Sequence, residues 1–278
     1  MSSSPRATVI VPVFNALSVV RPCVEAILRW TDLDRHRLVI ADDASDEHTV
    51  AQLGLWADAE PGITVLEGDR NVGFGRNCNR AMREVDADYV VLLNSDTCVT
   101  PRWLDKMVAC MESDASIGVA SPISNVAPHL RVEMLPGRDY LQMAALVEHV
   151  SRRSYPDVTT PEGFCYMISR RCQEEIGYLD EIFDDGYGEE SDYAMRANYY
   201  GFRTVCVDDT YIYHRGRASF GVERRNELYE QNKRIFNSRW QHRYPKDFEE
   251  FQSRDPLGYI RDALAGHREP GALPAIER

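Results

Sequence analysis

The sequence predicts an α/β fold in which helices flank a central, mostly parallel β-sheet. Short apolar runs rich in β-branched residues alternate with segments of helical spacing through the first 120 residues. Such alternation builds parallel sheets through right-handed crossovers. Several runs also end abruptly at acidic residues, as strands do when they carry polar groups to the ligand-binding edge of an α/β sheet.

The first two strands and the helix between them are predicted from local pattern. Apolar residues occupy 8–13 and 38–41, and the second run stops at two aspartates. Ser18 is expected to cap the intervening helix. Pro22 is expected near the first turn of that helix, where its missing N–H is tolerated.

The third and fourth strands follow the same pattern. Residues 63–66 form the third, and residues 90–93 form the fourth, which runs directly into Asn94, Ser95 and Asp96. A helix is predicted over 74–85 and another around 104–111; the first should leave polar residues on its surface, namely Arg76, Asn77, Asn79 and Arg80. Because the carboxyl ends of parallel strands share one edge, the acidic tips should lie together there: Asp42, Asp43 and Asp96.

The alternation breaks after Ser121. Residues 121–160 are rich in proline around one predicted helix at 140–150, which indicates a long excursion able to shape a cleft. The remaining predicted elements are a strand at 164–168, a helix at 190–200 ended by Gly201, short strands at 205–207 and 211–214, and a last long helix at 223–240.

Composition limits the classes of function. The formal net charge of −12 argues against nucleic-acid binding, which needs a basic surface. The seven cysteines are scattered and form no Cys-x-x-Cys pair, which favours reduced thiols in a cytoplasmic protein. The start of the chain does not resemble a signal peptide, and no run approaches the ~20 apolar residues that span a bilayer. Any membrane contact should therefore be peripheral.

Two common phosphate-binding signatures are missing from the sequence. The first strand is not followed by Gly-x-Gly-x-x-Gly, and no Gly-Lys-Ser/Thr loop is present. Residues 71–76 contain two glycines and open a helix, whose backbone amides could contact a diphosphate.

Six ordered motifs carry a resemblance to a known family. They are residues 9–15 (VIVPVFN), 41–46 (ADDASD), 71–74 (NVGF) with Asn77 and Asn79, 93–96 (LNSD), 188–196 (GEESDYAMR), and His214 with Gly216 and Ser219. In order and spacing this set resembles the family 2 glycosyltransferases over residues 6 to 240. The likeness to bacterial rhamnosyltransferases of surface-polysaccharide and O-antigen assembly is the strongest.

The resemblance implies a GT-A fold with a Rossmann-like sheet and inverting transfer of a sugar from UDP or dTDP, with dTDP-rhamnose as a first guess. The acceptor would be a glycan or lipid-linked glycan hydroxyl. The absence of a Pro/Gly/Ser-rich break before about residue 250 favours one domain over 1–250, with a nucleotide-binding half at about 6–120 and an acceptor and catalytic half at about 121–250. Residues 251–278 contain several prolines and glycines and are expected to form a tail or linker after a C-terminal helical segment. The whole protein could carry other domains of polysaccharide assembly.

A divalent cation, Mn²⁺ or Mg²⁺, is expected because the leaving diphosphate gains negative charge. Asp96 matches the metal-binding aspartate of the family's Asp-x-Asp pattern, although the first position is Asn94 here. His214 matches the late histidine that completes the metal or diphosphate site in some relatives. The alternatives are that Asp96 caps a helix and that His214 is structural.

The donor is expected to contact residues from several motifs. Asp43 corresponds to the nucleobase-binding aspartate, since a carboxylate can accept the imide N–H of uracil or thymine; the alternative is a turn or helix cap. The full set of expected donor-binding residues is Val11, Asn15, Asp43, Asn71, Gly73, Arg76, Asn94, Ser95 and Arg217. Residues 163–165 are expected to line the acceptor or diphosphate side of the cleft.

An acceptor hydroxyl must lose its proton as it attacks carbon 1 of the sugar, so a general base is needed. The resemblance implies that the second residue of an acidic pair is the general base, which makes Glu190 the candidate base. Relatives usually have aspartate there, so Glu189 and Asp192 remain alternatives. The structural alternative is that these acids only stabilise the start of a helix.

A basic segment at 215–246 is either a solvated helix face or a contact with an anionic membrane surface or lipid diphosphate. The second alternative would place the protein at the inner face of the cytoplasmic membrane. Two other classes of function share the predicted sheet: a sugar-1-phosphate nucleotidyltransferase and a catalytically silent interaction module.

Overall fold

The first half of the chain forms the predicted alternation in a computed structural model that describes residues 5–183, 186–216 and 222–266, with side chains of the last range from Glu227 onward. Its elements are β1 Ala7–Val13, α1 Leu17–Trp30, β2 Arg37–Asp42, α2 Glu47–Ala59, β3 Ile63–Leu66, α3 Phe74–Glu84 and β4 Tyr89–Leu93. All four predicted strands of this half are confirmed.

The second half is more irregular. Its elements are β5 Thr97–Cys98, α4 Trp103–Ser113, β6 Ile117–Ser124, α5 Tyr140–Val150, β7 Cys165–Ser169, α6 Arg170–Ile176, a 3-10 helix Glu181–Phe183, α7 Glu189–Tyr199, β8 Arg203–His214, α8 Val222–Trp240, α9 Tyr244–Arg254 and α10 Gly258–Ala265. The two short strands predicted near the end are one continuous strand, β8. The helix predicted as the last is followed by two more.

One eight-stranded sheet holds these elements together, in the order β3-β2-β1-β4-β7-β6-β8-β5. The pairs from β3 to β4 are parallel, as predicted, and β6 and β8 are parallel. Strand β7 lies antiparallel between β4 and β6. The sheet is therefore mixed, and the predicted α/β class is confirmed.

This strand order decides which segments meet at one edge. Strands β1, β2, β4 and β8 all end at the same edge, because β8 is parallel to β6 and both oppose β7. Strand β7 instead begins there, since Cys165 pairs with Leu93 at the end of β4. The segment before β7 is thereby placed beside the tips of β4 and β8.

Local expectations for two helices were wrong. The cap of α1 is Ala16 rather than Ser18, because Asn15 and Ala16 both take left-handed backbone angles and start the helix at Leu17; Pro22 therefore lies in the second turn. In α3 the two asparagines are buried, not on the surface. Asn77 donates to the Ala41 carbonyl at 2.7 Å, and Asn79 donates to the Leu179 carbonyl at 2.9 Å.

The segment expected to be a tail is packed against the domain through α10. Phe251, Leu257, Ile260 and Leu264 belong to the main hydrophobic core. Tyr259 adds a hydrogen bond from its hydroxyl to the buried Asp208 carboxylate. The described part of this segment, up to residue 266, is thus packed against the rest of the domain. Of the helices in the described residues, none has both the length and the apolar character to cross a bilayer.

Candidate active site

Asp96 and His214 meet at the common edge, although 118 positions separate them in the sequence. Asp96 follows β4, His214 ends β8, and the pairing of Thr97 with His214 in the β5–β8 ladder brings them together. His214 Nε2 lies 3.2 Å from Asp96 Oδ1, and both side chains are largely buried. The two residues predicted to bind a metal are therefore adjacent.

The imidazole of His214 is held in one orientation by its surroundings. Its Nδ1 lies 3.2 Å from the Val126 carbonyl, which only a protonated Nδ1 can satisfy. The ring stacks on Phe164, with centroids 5.3 Å apart. In the neutral ring this arrangement leaves the lone pair of Nε2 pointing toward Asp96. Burial lowers the pKa of His214, but the hydrogen bond to Asp96 and its charge outweigh this and raise the pKa.

Mn²⁺ readily takes a carboxylate oxygen and an imidazole nitrogen as ligands. No group of three histidine, cysteine, aspartate or glutamate side chains gathers at this pair or at any other place in residues 5–183, 186–216 and 222–266. The pair is consistent with an open site in which a diphosphate and water would supply the remaining ligands.

Residues 162–164 join the Asp96–His214 pair to α7. Phe164 packs on His214, and its carbonyl accepts the Asn94 N–H at 2.8 Å. Gly163 lies so close to Glu190 that an added Cβ would be 3.0 Å from Glu190 Cγ. Residues 163–165 were expected to line the cleft, and the structure places Phe164 against His214 and Gly163 against Glu190.

Glu189 and Glu190 open α7 as a coupled pair of carboxyls. Burial raises the pKa of both, and the charge of Glu190 raises the pKa of Glu189 well above its ordinary value. A side-chain hydrogen bond joins them and lowers the pKa of Glu190 relative to its partner. Glu189 therefore holds the proton, and Glu190 is the member that ionises first. The Gly188 N–H also donates to Glu190 Oε2 at 3.3 Å.

Asp192, the third acid of the motif, is not available as a base. It is fully buried and accepts hydrogen bonds on both oxygens. Arg196 Nε donates at 2.9 Å, while Arg239 Nη1 and Trp240 Nε1 each donate at 3.0 Å. These hydrogen bonds tie α7 to the end of α8, and they favour Glu190 over Asp192 as the predicted base.

We expect Asp192→Asn to destabilise the fold by about 3 kcal/mol, since the amide cannot neutralise two guanidinium groups around a buried position. Urea unfolding would measure the loss. Asp180→Asn is the matched control, because Asp180 shares Arg239 but is half-exposed, and its loss should be about 1 kcal/mol or less. A stable Asp192→Asn variant with no turnover would instead place Asp192 in the chemistry.

Glu162 is a site residue that the sequence analysis missed. It accepts the His129 N–H at 2.6 Å, and the charges of Glu190 and His214 both act on it. Burial raises its pKa to about 7. No local periodicity marks this residue, and its only signal in the sequence is its position beside Gly163.

The raised pKa of Glu162 predicts a pH dependence of stability. The unfolded carboxyl ionises near 4.5, whereas the folded one keeps its proton to about pH 7. The folded state therefore binds the extra proton, and this contribution is complete below pH 4.5 and lost as pH rises through 7. We expect this contribution to stability to be on the order of 2 kcal/mol, a value reduced by solvent screening because the side chain is partly exposed.

Glu162→Gln should remove that dependence while keeping an oxygen for the His129 N–H. The measurement is the difference in unfolding free energy between wild type and variant at pH 5 and pH 7.5. Glu175→Gln, which changes an exposed carboxyl, is the control. Its unfolding free energy should differ from that of the wild type by the same amount at both pH values. Equal slopes for Glu162→Gln and wild type would contradict the assigned pKa.

On the donor side, Asp43 holds the glycine loop before α3. Its two oxygens accept the N–H groups of Val72 and Gly73 at 2.9 and 3.0 Å. Burial raises the pKa of Asp43 above its ordinary value. Gly73 has φ +85°, a backbone angle that favours glycine. The carboxylate of Asp43 is therefore held in place by the loop before α3.

The other predicted donor residues differ in how far they reach this edge. Asn15 joins the loops after β1 and β2, since its Oδ1 accepts the Asp46 N–H at 2.7 Å. Asn71 is exposed, and Asn94 and Ser95 are partly exposed at the tip of β4.

Val11, Arg76 and Arg217 were also predicted to contact the donor. The side chain of Val11 is buried in the core, so a contact between Val11 and the donor would have to use its backbone. Arg76 pairs with Glu181, with Nε 3.6 Å from Oε2, which directs it toward the segment before α7. Arg217 lies outside the described residues.

The basic segment is partly neutralised within the fold. Arg239 pairs with Asp180 and Asp192, and Arg243 Nε lies 2.9 Å from Asp247 Oδ2. These cations pair with carboxylates of the same domain, which favours a helix face over a membrane contact for this part of the segment.

Comparisons with known proteins agree with this geometry. The family model described as Glycosyl transferase family 2 matches residues 8–172, more than half of the chain. The uncharacterized protein y4gI of Sinorhizobium fredii is 26% identical over 241 residues, covering 80% of this chain and 26% of that protein. The O-antigen biosynthesis protein RfbC of Myxococcus xanthus is 22% identical over 238 residues, covering 78% and 18%. The chain spans about a quarter or less of the length of these relatives.

Solved structures show the same fold. The mannosyltransferase PcManGT from Pyrobaculum calidifontis, solved with GDP-Man and Mn²⁺, superposes with a TM-score of 0.65 at 19% identity. The match covers 98% of this chain and 78% of that one. The GT-A fold expected from the motifs is thus confirmed.

Proposed function

Because this chain belongs to glycosyl transferase family 2, we propose that it moves a sugar from a UDP- or dTDP-sugar to a glycan or lipid-linked glycan hydroxyl with inversion. One observation carries the proposal. The Asp96–His214 pair and the Glu189–Glu190 pair lie on either side of residues 162–164, so a diphosphate group and an acceptor hydroxyl can be served from opposite sides.

Asp96 and His214 are the residues that would hold a divalent cation, which when bound neutralises charge on the leaving diphosphate. The loop held by Asp43 offers backbone amides at the start of α3 to the nucleotide. Asp43 then accepts the imide N–H of the base.

Glu190 accepts the proton of the attacking hydroxyl. As that oxygen bonds to carbon 1 of the sugar, the bond from carbon 1 to the diphosphate oxygen breaks, and the configuration inverts. Burial raises the pKa of Glu190, which brings its basicity closer to that needed near neutral pH. Protonated Glu189 donates to Glu190 and keeps the negative charge on the second residue.

The resemblance to rhamnosyltransferases and the likeness to RfbC support a role in surface-polysaccharide or O-antigen assembly, with dTDP-rhamnose as the first donor to test. The short coverage of its relatives supports a domain that works within a larger enzyme. A position at the inner face of the cytoplasmic membrane would suit a lipid-linked acceptor.

Isothermal titration with UDP, dTDP and GDP, with and without Mn²⁺, tests the proposal. We expect Mn²⁺-dependent binding of UDP or dTDP, followed by transfer or slow hydrolysis of a matching nucleotide sugar. Absent or metal-independent binding would favour a silent module. Release of pyrophosphate from a nucleoside triphosphate and a sugar phosphate would favour a nucleotidyltransferase.

A further inference from the structure

The side chain of Glu190 packs directly on the backbone of Gly163. A Cβ added to Gly163 would lie 3.0 Å from Glu190 Cγ and 3.2 Å from its carboxyl carbon Cδ. Both distances are shorter than the ~3.5–4.0 Å at which carbon atoms pack best. The backbone of Gly163 does not take the left-handed angles that favour glycine. Glycine suits this position because Glu190 fills the space that a side chain at 163 would need.

Tyr166 holds the main chain of the same glutamate. Its hydroxyl donates to the Glu190 carbonyl at 2.9 Å. The ring of Tyr166 is 1% exposed and packs edge-on against Tyr193, with centroids 6.1 Å apart. Tyr166 also pairs with Leu92 in the ladder between β4 and β7, so the sheet fixes its place. Glu190 is therefore held through its side chain and through its backbone by residues of one short segment.

Between these two contacts, the same segment holds the candidate metal pair. Phe164 stacks on His214 at 5.3 Å, and its carbonyl accepts the Asn94 N–H at the tip of β4 at 2.8 Å. Gly163 and Tyr166 are only three positions apart in the chain. The position of Glu190 relative to His214 is therefore set across four consecutive residues.

Glu190 is placed where an acceptor could reach it. Glu190 and Gly163 are partly exposed, whereas Glu189 is 6% exposed. A general base takes a proton over a hydrogen bond of about 2.6–3.2 Å, so a small displacement of its carboxylate weakens the transfer. The contacts that fix Glu190 therefore bear on the reaction without joining it.

We infer that Gly163 and Tyr166 are positioning residues that set the place of the Glu190 carboxylate relative to the Asp96–His214 pair. Gly163 does this by leaving room for the carboxylate arm, and Tyr166 does it by anchoring the helix start. Neither residue takes up the acceptor proton. This inference rests on the proposed glycosyltransferase function and adds residues that act through its base.

Gly163→Ala should lower the turnover number by about tenfold. The added methyl group requires Glu190 to move by a few tenths of an ångström, and a misplacement of about 1 Å can cost 10²-fold. The affinity for UDP or dTDP with Mn²⁺ should not change. Gly54→Ala is the matched control, because a Cβ added to Gly54 in α2 meets no atom within 4 Å. The assay is release of nucleoside diphosphate from dTDP-rhamnose, UDP-glucose or UDP-N-acetylglucosamine, with water as the acceptor.

Tyr166→Phe tests the second contact and decides the question if Gly163→Ala does not fold. We expect about threefold lower turnover, because the helix start keeps its other bonds and shifts less. Tyr193→Phe is the control, since its hydroxyl donates to the Gly177 carbonyl at 3.2 Å and not to Glu190. It should turn over like the wild type.

A double-mutant cycle separates positioning from a general structural effect. In a Glu190→Gln background Gly163→Ala should cause no further loss of turnover, because the amide accepts no proton wherever it stands. The contact itself is read from urea unfolding. Gly163→Ala should lower the urea midpoint of the wild type but not that of Glu190→Ala, which lacks the two carbon atoms nearest to the added methyl group.

Full turnover by folded Gly163→Ala and by Tyr166→Phe, or an equal loss from Gly163→Ala in the wild-type and Glu190→Gln backgrounds, would overturn the inference. In those cases Mn²⁺-dependent nucleotide binding and an inactive Glu190→Gln would leave the proposed function standing. Absence of Mn²⁺-dependent binding of UDP and dTDP by the wild type would contradict the proposed function and this inference with it.

Discussion

Replacing Glu190 with glutamine is expected to lower the turnover number by about 10²- to 10⁴-fold, the range typical for loss of a general base. The amide has nearly the same shape but cannot take up the acceptor proton. Because Glu190 does not hold the nucleotide in this scheme, the dissociation constant of the donor should change little. Steady-state transfer assays and isothermal titration with the nucleotide measure the two quantities separately.

Two further carboxyls of α7 serve as comparisons. Glu189→Gln should lose less turnover than Glu190→Gln, because Glu189 already carries the proton and an amide resembles a neutral acid. Asp192→Asn, assayed where it remains folded, should retain turnover. If Glu190→Gln stays active while folded Asp192→Asn is inactive, the wrong base has been named.

The same assignment gives a direction for the pH profile. The active form of Glu190 is ionised, so turnover should fall as pH drops through its pKa. Since burial raises that pKa, the acid limb should lie above the ordinary glutamate value of 4.5.

Asp96→Ala is expected to abolish Mn²⁺-dependent binding of the nucleotide donor. Asp96 is the only carboxylate in the His214 pair, and one imidazole alone is a weak site for Mn²⁺ or Mg²⁺. Titration of the nucleotide with and without Mn²⁺ should show a metal-dependent gain in affinity for the wild type and none for the variant.

Asp34→Ala provides the control, because Asp34 is an exposed aspartate before the amino end of β2, at the opposite edge of the sheet. It should bind the nucleotide and Mn²⁺ like the wild type. An Asp96→Ala variant that keeps the full metal-dependent gain would show that the cation is held elsewhere.

Local pattern predicted the parallel half of the sheet well, and it failed where a helix or strand depends on distant partners. The buried run at 90–93 and its acidic end follow from strand period and turn chemistry, both properties of a few neighbouring residues. The burial of Asn77 and Asn79 could not be read from helical spacing, because it depends on carbonyls at Ala41 and Leu179. The packing of α10 likewise depends on Tyr259 reaching Asp208.

The candidate site likewise has features that local sequence predicts and features that depend on distant partners. Ordered motifs in the sequence predicted roles for Asp43, Asp96, Glu190 and His214, because each is the polar end of a recognisable element. They made Glu190 the candidate base and left Glu189 and Asp192 as alternatives. The structure distinguishes these acids, since it shows Asp192 bonded to two arginines and Glu189 buried beside Glu190.

By itself, the amino-acid sequence determined the α/β alternation and the residue types at the strand ends, because periodicity and turn formation are decided over a few consecutive residues. The tertiary structure alone decided which of these carboxyls are tied up in hydrogen bonds and that Glu162 lies beside them. Such hydrogen bonds come from residues more than 30 places away in the chain, such as His129 for Glu162 and Trp240 for Asp192.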